Sequence, residues 1–221
     1  MSYNTFSPIV SNGLVLCLDA ANSKSYDIGT DWNDLTSNSN TGVLTNGPVY
    51  NSSNGGSIVF DGIDDYVDCG SNTSLQEDSG TVACWVKTTS PGSSYRGIIV
   101  KQYGWGLFTD YGIFIVYDWS AGTPRSTGIN ISTGEWVYLA VSFTSIAGTP
   151  TNNASLYING SLVLVTTIQK TSPVSTVVLG AGSPSGVQNF NGDITHASIY
   201  NTVLSSDDIL QNYNALKNRF I

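Results

Sequence analysis

The chain has 221 residues, only 11% of them charged, and a formal net charge of −8 at pH 7. This length suffices for one large domain with a buried core. With only eight Lys and Arg, it lacks the basic face that nucleic-acid binding requires, and an anionic membrane surface is disfavoured for the same reason. No stretch approaches the ~18 consecutive apolar residues of a membrane span, so membrane insertion is not expected.

Residues 1–12 are interpreted as an N-terminal arm. They contain neither the basic nor the apolar region of a secretory signal, so we expect synthesis and assembly in a cytoplasm. Cys17, Cys69 and Cys84 are an odd number of cysteines. Cys17 and Cys84 lie in apolar strands, which favours buried free thiols over a disulfide framework.

Short runs of β-branched and aromatic residues, separated by Gly, Asn, Ser and Pro, predict about a dozen strands. The first is expected at residues 13–18. A polar loop to about residue 41 follows, which Trp32 and Leu35 are expected to anchor. The further predicted strands are residues 43–44, 57–60, 66–69, 81–87, 97–101, 112–117, 126–131, 136–143, 154–159, 162–168, 177–180 and 194–200.

Two local sequence patterns predict particular β-structures. Residues 81–87 alternate apolar side chains on both faces, which is typical of a central strand covered on both sides. Asn159-Gly160 accepts the positive φ angles of a tight hairpin turn. Because no helical period separates the strands, we predict an all-β fold, a two-sheet antiparallel jelly-roll sandwich over residues 13–204.

One α-helix is predicted at residues 205–221. Ser205 and Asp208 fit a capping box in which Asp replaces the usual Glu or Gln. Apolar residues then recur at helical spacing. The helix is expected to pack on the edge of the same sandwich and cover exposed strand backbone; the alternative is a docking helix for a partner subunit.

Five short stretches occur in a fixed order: residues 81–86 (TVACWV), 134–141 (GEWVYLAV), 156–160 (LYING), 191–194 (NGDI) and 204–209 (LSSDDI). Together they resemble the concanavalin A-like laminin-G and pentraxin group, from about residue 14 to 217. The resemblance implies a concanavalin A-like sandwich.

The beginning of the chain resembles a narrower set. Residues 13–22 (GLVLCLDAAN), 44–48 (LTNGP) and 56–67 (GSIVFDGIDDYV) are similar to laminin-G-like modules of virion structural proteins from marine tailed bacteriophages. This resemblance implies a virion protein, a capsid decoration or fibre component with other virion proteins as partners. Assembly as a homo-oligomer is compatible with such a role.

Acidic side chains cluster in one turn, at Asp61, Asp64, Asp65 and Asp68. Carboxylates gathered on a turn are ligands that Ca²⁺ prefers, and the resembled domains often bind it. The candidate ligands for one structural Ca²⁺ are Asp61, Asp64, Asp65 and Asp193. The alternative is that Asp61 and Asp65 accept backbone N–H groups while Asp64 and Asp68 face water. Residues 179–185 carry no carboxylate, so a pentraxin-type double-calcium site is not expected.

Aromatic residues crowd the region between two predicted strands, at Tyr95, Tyr103, Trp105, Tyr111, Tyr117 and Trp119. Sugars pack their C–H faces on flat rings, and nearby amides and hydroxyls bind their OH groups. The candidates for binding a carbohydrate or a partner are Tyr103, Trp105, Tyr111 and Trp119. Contact with a glycan, contact with a protein and simple packing remain open for Trp105 and Trp119, whereas Trp85 and Trp136 are expected to be structural.

No catalytic residues are predicted. Glycosidases of this fold use carboxylates on alternate residues of one strand, whereas Glu77 and Glu135 are isolated, and His196 is the only histidine. We therefore expect a non-enzymatic virion surface protein that contributes to host attachment. The alternative is an adhesin that binds host-surface glycans, and a glycoside hydrolase is a remote third. No cofactor is required beyond the candidate Ca²⁺.

Overall fold

The computed structural model describes residues 7–92, 94–172 and 174–220, so the first six residues of the predicted arm lie outside the described residues. Over these ranges the chain forms two eight-stranded antiparallel sheets and one α-helix near its C-terminus. Because side chains alternate along a strand, each sheet turns one face toward the other sheet and one face outward. The predicted all-β sandwich is confirmed.

In chain order the strands are Leu14–Asp19 (β1), Asp31–Trp32 (β2), Gly42–Thr45 (β3), Val49–Asn51 (β4), Ser57–Asp61 (β5), Tyr66–Asp68 (β6), Gly80–Lys87 (β7), Tyr95–Lys101 (β8), Trp105–Asp110 (β9), Ile113–Asp118 (β10), Thr123–Asn130 (β11), Val137–Phe143 (β12), Ala154–Ile158 (β13), Ser161–Thr166 (β14), Val177–Leu179 (β15) and Asn191–Tyr200 (β16). Sheet 1 has the order β14-β13-β12-β7-β16-β5-β4, with β1 paired to β16. Sheet 2 has the order β11-β10-β9-β8-β15-β6-β3-β2.

Strand β7 lies inside sheet 1, between β12 and β16. Val82 and Cys84 face the space between the sheets, Ala83 and Trp85 face outward, and all four are at most 1% exposed. The predicted central strand, covered on both faces, is confirmed. All three cysteines are buried free thiols, as the sequence analysis predicts for Cys17 and Cys84.

The hairpin between β13 and β14 has the turn that its sequence requires. Asn159 and Gly160 have φ values of 51° and 79°, the two positive angles of a type I′ turn. Asn159 also ties the turn to β12, because its Oδ1 accepts the backbone N–H of Tyr138 at 2.9 Å. This bond fixes the hairpin against the centre of sheet 1.

The main core fills the space between the sheets, and the loop after β1 contributes to it. Trp32 is fully buried there, as predicted. The prediction for Leu35 is wrong, because its side chain is 38% exposed. Its backbone N–H instead donates to the carbonyl of Cys17 at 2.9 Å, so hydrogen bonding and not burial holds this part of the loop.

Helix α1, Ser206–Leu216, closes the outer face of sheet 1. Ser205 caps it, and the reciprocal bonds of the capping box are both present with Asp208 in the acidic position. Tyr213 of the helix stacks on Trp85, with ring centroids 5.5 Å apart, and Phe220, beyond the end of the helix, packs on the same ring in a tilted arrangement at 4.5 Å. The helix therefore covers a sheet face and not the edge that the sequence analysis assigns to it. None of the described helices is long and apolar enough to cross a membrane.

Candidate functional site

A depression of about 270 Å³ opens on the outer face of sheet 2, the face directed away from α1. We call it the aromatic depression. Its walls are Tyr95, Gln102, Phe108, Tyr117, Trp119, Gly122, Gly182 and Gln188. The volume lies just below the ~300–1,000 Å³ of small-molecule sites, so it fits a short stretch of a ligand.

Three neighbouring strands bring the rings of the depression together. Tyr95 opens β8, Phe108 lies in β9, and Tyr117 lies in β10, with Trp119 directly after it. Tyr117 is at the centre: its ring centroid is 5.6 Å from that of Tyr95, 6.4 Å from Phe108 and 5.3 Å from Trp119. The interplanar angles of 59° to 71° are those of edge-to-face contacts, which hold each ring in a defined orientation.

Gly106 makes room for these rings in the middle of β9. A Cβ atom at this position would lie 2.5 Å from Cε2 of Phe108 and 3.0 Å from Cη2 of Trp119. Both distances are shorter than carbon atoms tolerate. The missing side chain therefore lets Phe108 and Trp119 lie across the outer face of the strand.

Polar groups without protein partners surround the rings. Among the described residues, the amides of Gln102 and Gln188, the hydroxyls of Tyr95 and Tyr117 and the indole N–H of Trp119 make no hydrogen bond to protein, and all five side chains are at least partly exposed. These groups include both donors and acceptors. The site thus combines flat apolar rings with several polar groups that are ready to bind hydroxyls.

The loop carrying Gln188 is itself held in place. The backbone N–H of Gly182 donates to Val187 O at 2.8 Å, and that of Gly97 donates to Gln188 O at 2.8 Å. Gln188 has a φ of 58°, and its side chain lies against Gly182, where a Cβ atom would be 2.2 Å from Oε1. One wall of the depression is therefore a braced loop and not a free one.

The four aromatic candidates from the sequence do not form one site. Trp119 lines the depression. Tyr103 and Tyr111 are 47% and 62% exposed, but they lie in the turns at opposite ends of β9, roughly 20 Å apart for six residues at ~3.3 Å each. Neither is among the residues that line the depression.

The prediction that Trp105 is a candidate binding residue is wrong. The side chain is fully buried and faces the core between the sheets, with its ring centroid 6.3 Å from that of Phe143. The sequence analysis treats residues 102–111 as a loop, whereas residues 105–110 form β9. Trp105 and Trp119 therefore lie on opposite faces of sheet 2, and of the two only Trp119 lines the aromatic depression.

The sequence analysis does not name Phe108, Gln102 or Gln188 as site residues, and it notes Tyr95 and Tyr117 among the crowded aromatic residues without choosing them as candidates. The alternation of Trp105, Leu107 and Thr109 with Gly106 and Phe108 was a usable indication of a strand with an outward Phe108. Gln188 is different, because its loop, which also supplies Gly182, is about 60 residues from the remaining walls, and the position of β15 beside β8 brings this loop to the site.

For Asp61, Asp64 and Asp65, the acidic turn after β5 matches the alternative interpretation of its hydrogen bonds. For Asp68 it does not, because this residue is only partly exposed and its Oδ1 accepts the N–H of Gly70 at 2.7 Å. Asp61 Oδ1 accepts the N–H of Ile63 at 2.7 Å, and Asp65 Oδ2 accepts the N–H of Asp61 at 2.9 Å. Asp64 is exposed. Burial raises the pKa of Asp65, and the negative charges of Asp61 and Asp64 raise it further.

The same three carboxylates fit a cation. One oxygen from each of Asp61, Asp64 and Asp65 lies within 4.8 Å of the others, which is compatible with Ca–O distances of about 2.4 Å to a shared ion. Asp193 is not part of this group. It accepts a hydrogen bond from Ser57 at 2.9 Å and lies 3.7 Å from Lys87 Nζ, so the candidate ligand set loses its fourth member. Calcium here stays a prediction.

A family model described as the concanavalin A-like lectin/glucanases superfamily matches residues 61–210. The chain belongs to this superfamily. Among curated protein sequences, none matches it. The resemblance that the sequence analysis names is thereby confirmed at the level of the superfamily.

Solved structures with low sequence identity share the fold. The binding domain of Paraclostridial Mosquitocidal Protein 1 is 14% identical with a TM-score of 0.68, over 92% of this chain and 52% of that one. A Trypanosoma rangeli sialidase bound to sialic acid is 13% identical with a TM-score of 0.73, over 97% and 35%. Domain 4 of AbnA, a GH43 extracellular arabinanase from Geobacillus stearothermophilus, in complex with arabinotriose, is 17% identical with a TM-score of 0.68, over 90% and 98%. This chain therefore spans about half or less of the first two structures.

The superfamily includes glucanases, so the positions of the glutamates matter. Glu77 lies before β7 and is largely buried. Burial raises its pKa to about 7, although the Lys101 charge opposes this shift. Burial also lowers the pKa of Lys101 to about 8, against the effect of Glu77. Within the described chain neither Lys101 Nζ nor the Glu77 oxygens have hydrogen-bond partners.

Neither glutamate lies in the aromatic depression. Lys101 pairs with Trp105 across the β8–β9 hairpin, and paired residues share a face, so Lys101 and its neighbour Glu77 are on the core side of sheet 2. Glu135 is exposed before β12. The superfamily fold thus places these carboxylates away from the candidate site.

His196 lies in β16 on the covered outer face of sheet 1. It is 3% exposed, and its Nε2 is 3.7 Å from Cys17 Sγ. Burial lowers the pKa of His196 to about 4 and raises that of Cys17 to about 12. The imidazole is therefore neutral and the thiol protonated at neutral pH, and a buried thiol of this kind is a poor nucleophile.

Proposed function

We propose that the protein is a carbohydrate-binding module without catalytic activity, and that the aromatic depression is its ligand site. The observation that carries this proposal is the set of five partnerless polar groups arranged around the Tyr117 and Trp119 rings. Rings of this kind pack against the C–H face of a sugar, and the amides and hydroxyls bind its OH groups.

The AbnA structure supports this proposal. That domain is bound to arabinotriose and aligns over 98% of its length with this chain, so a sandwich of this size and topology serves as a sugar-binding unit in that protein. The absence of catalysis rests on chemistry: glycoside hydrolysis requires a pair of carboxyl groups on either side of the scissile bond. Among the described residues, none that lines the depression carries a carboxyl group.

A virion surface is the proposed setting, and it rests on the resemblance of residues 13–67 to modules of phage virion proteins. In that setting the depression binds host-surface polysaccharide and contributes to attachment, while other virion proteins bind elsewhere on the molecule. The calcium proposal is independent of both: Asp61, Asp64 and Asp65 hold one structural ion.

A glycan array followed by titration calorimetry tests the proposed site. We expect Trp119→Ala to weaken binding at least about tenfold, the effect of losing ~1.4 kcal/mol of contact energy. Tyr111→Ala is the matched control, because Tyr111 is an exposed ring outside the depression, and it should bind like the wild type.

Because Trp119 also packs on Phe108, a second variant separates binding from folding. The Gln188 side chain is exposed and makes no hydrogen bond to the described protein, so Gln188→Ala should leave the melting temperature within about a degree and still weaken binding. Absence of binding to every glycan, or wild-type affinity of both variants, would refute the proposed function.

A further inference from the structure

We infer that the aromatic depression selects uncharged glycans and rejects those that carry carboxylates. This inference rests on the proposed function and specifies the chemical class of its ligand. It follows from the charges on and around the depression, which its lining residues and the strand register define.

The described residues of the lining carry no formal charge. Its described polar members are amides, phenols and an indole, groups that donate to and accept from hydroxyls but offer no cation to a carboxylate. Proteins that bind carboxylates use Arg or Lys, because charge-assisted bonds are about twice as strong as neutral ones. Recognition by neutral donors alone therefore favours a neutral sugar.

A negative charge lies on the same face of sheet 2, beside Tyr95. Asp110 pairs with Tyr95 across β8 and β9, and paired residues share a face. Burial raises the pKa of Tyr95, and the Asp110 carboxylate raises it further, which indicates that this negative charge acts at the wall of the depression. A second carboxylate brought by a ligand would be repelled.

The basic residues close to the site in sequence point elsewhere. Arg125 donates to Asp118 at 2.6 Å and to the Thr167 carbonyl at 3.0 Å. Its strand partner is Val116, a core residue, so the Arg125–Asp118 pair lies on the core side. Arg96 follows Tyr95 and pairs with Thr109, which directs it to the opposite face of β8 from Tyr95. Lys101 is buried on the core side as well.

Matched oligosaccharides test the selection. First, an array of neutral and uronate-containing polysaccharides identifies ligands. Hexamers that differ only at C6 then measure the discrimination, for example β-1,4-mannohexaose against β-1,4-mannuronate hexamer, or the corresponding glucose and glucuronate pair. We expect every ligand lost in Trp119→Ala to be neutral, and its uronate counterpart to bind at least about tenfold more weakly at 0.05 M salt.

Salt dependence and a variant that introduces a charge provide two further tests of the selection against carboxylates. Neutral binding should be unchanged between 0.05 and 0.5 M NaCl, because no ion pair is screened. Gln188→Lys should narrow the discrimination between neutral and uronate hexamers, whereas Lys24→Gln, a charge change at an exposed position outside the depression, should not.

The outcomes separate this inference from the function on which it rests. A uronate hexamer that binds as well as its neutral counterpart, and whose binding Trp119→Ala abolishes, overturns the inference and leaves the proposed site standing. Glycan binding that is unaffected by Trp119→Ala and Gln188→Ala refutes the proposed site. Absence of any glycan binding refutes both.

Discussion

The buried pair Glu77 and Lys101 makes the stability of this protein depend on pH, and Glu77→Gln tests this. The pKa of Glu77 rises from its ordinary 4.5 to about 7 because the carboxyl is buried. The folded protein therefore binds more protons than the unfolded chain between these values. By linkage, the stabilisation that the protonated Glu77 carboxyl contributes is complete below pH 4.5 and is lost as pH rises through about 7.

The magnitude follows from the size of this shift. Each pKa unit corresponds to about 1.36 kcal/mol, so the range from pH 4.5 to 6.5 involves at most about 2.7 kcal/mol. The carboxyl is only partly titrated at the two ends of this range, so we expect about 2 kcal/mol. Lys101 has the opposite dependence, with its contribution lost as pH falls through about 8, so measurements below pH 6.5 separate Glu77 from Lys101. The lowered pKa of His196 also affects stability in this range, but equally in the wild type and the variants, so it cancels in their comparison.

Urea unfolding followed by tryptophan fluorescence at pH 4.5, 5.5 and 6.5 gives the free energy of unfolding. We expect the wild type to lose about 2 kcal/mol relative to Glu77→Gln across this range. Glu135→Gln, which changes an exposed glutamate, is the control and should parallel the wild type. If Glu77→Gln also parallels the wild type, the carboxyl titrates normally and our account of this pair is wrong.

Two further predictions concern the helix and the metal. Ser205→Ala removes the side chain that caps α1 and should lower the free energy of unfolding in urea by about 1 kcal/mol. Ser205→Thr keeps a capping hydroxyl and should retain most of the wild-type stability. Equal stability of all three proteins would contradict the role of the cap. If Ca²⁺ binds at Asp61, Asp64 and Asp65, millimolar CaCl₂ should raise the melting temperature above that in EDTA by mass action. Asp64→Asn should remove this increase. A melting temperature of the wild type that does not depend on calcium would refute calcium binding at this turn.

Local patterns predict much of this fold because they report local requirements. The alternation through residues 81–87 predicts a strand covered on both faces, and β7 is that strand. Asn159-Gly160 predicts a turn with positive φ at both residues, and the turn has it. Ser205 and Asp208 predict the start of α1. In each case neighbouring residues alone determine the conformation.

The site was harder to predict, because it depends on which face of a strand each ring occupies. Trp105 and Trp119 have similar neighbours in the sequence, yet one is in the core and the other lines the depression. Trp105 lies inside β9 and Trp119 directly after β10, so the alternation of side chains along two different strands decides the face that each occupies. Gln188 comes from a loop distant in sequence, and Asp193 is held by Ser57 and Lys87, pairings that no spacing within the acidic turn reveals.

The two ends of the described chain meet behind the sandwich. The backbone N–H of Val10 donates to Asn212 of α1 at 2.8 Å, and Gln211 donates to the carbonyl of Pro8 at 2.8 Å. Both segments belong to the side of sheet 1, whereas the rings of Tyr117 and Trp119 belong to the far side of sheet 2. A biosensor surface or fluorescent tag joined near either segment would therefore sit at the back of the molecule, leaving the front accessible to large polymers in solution.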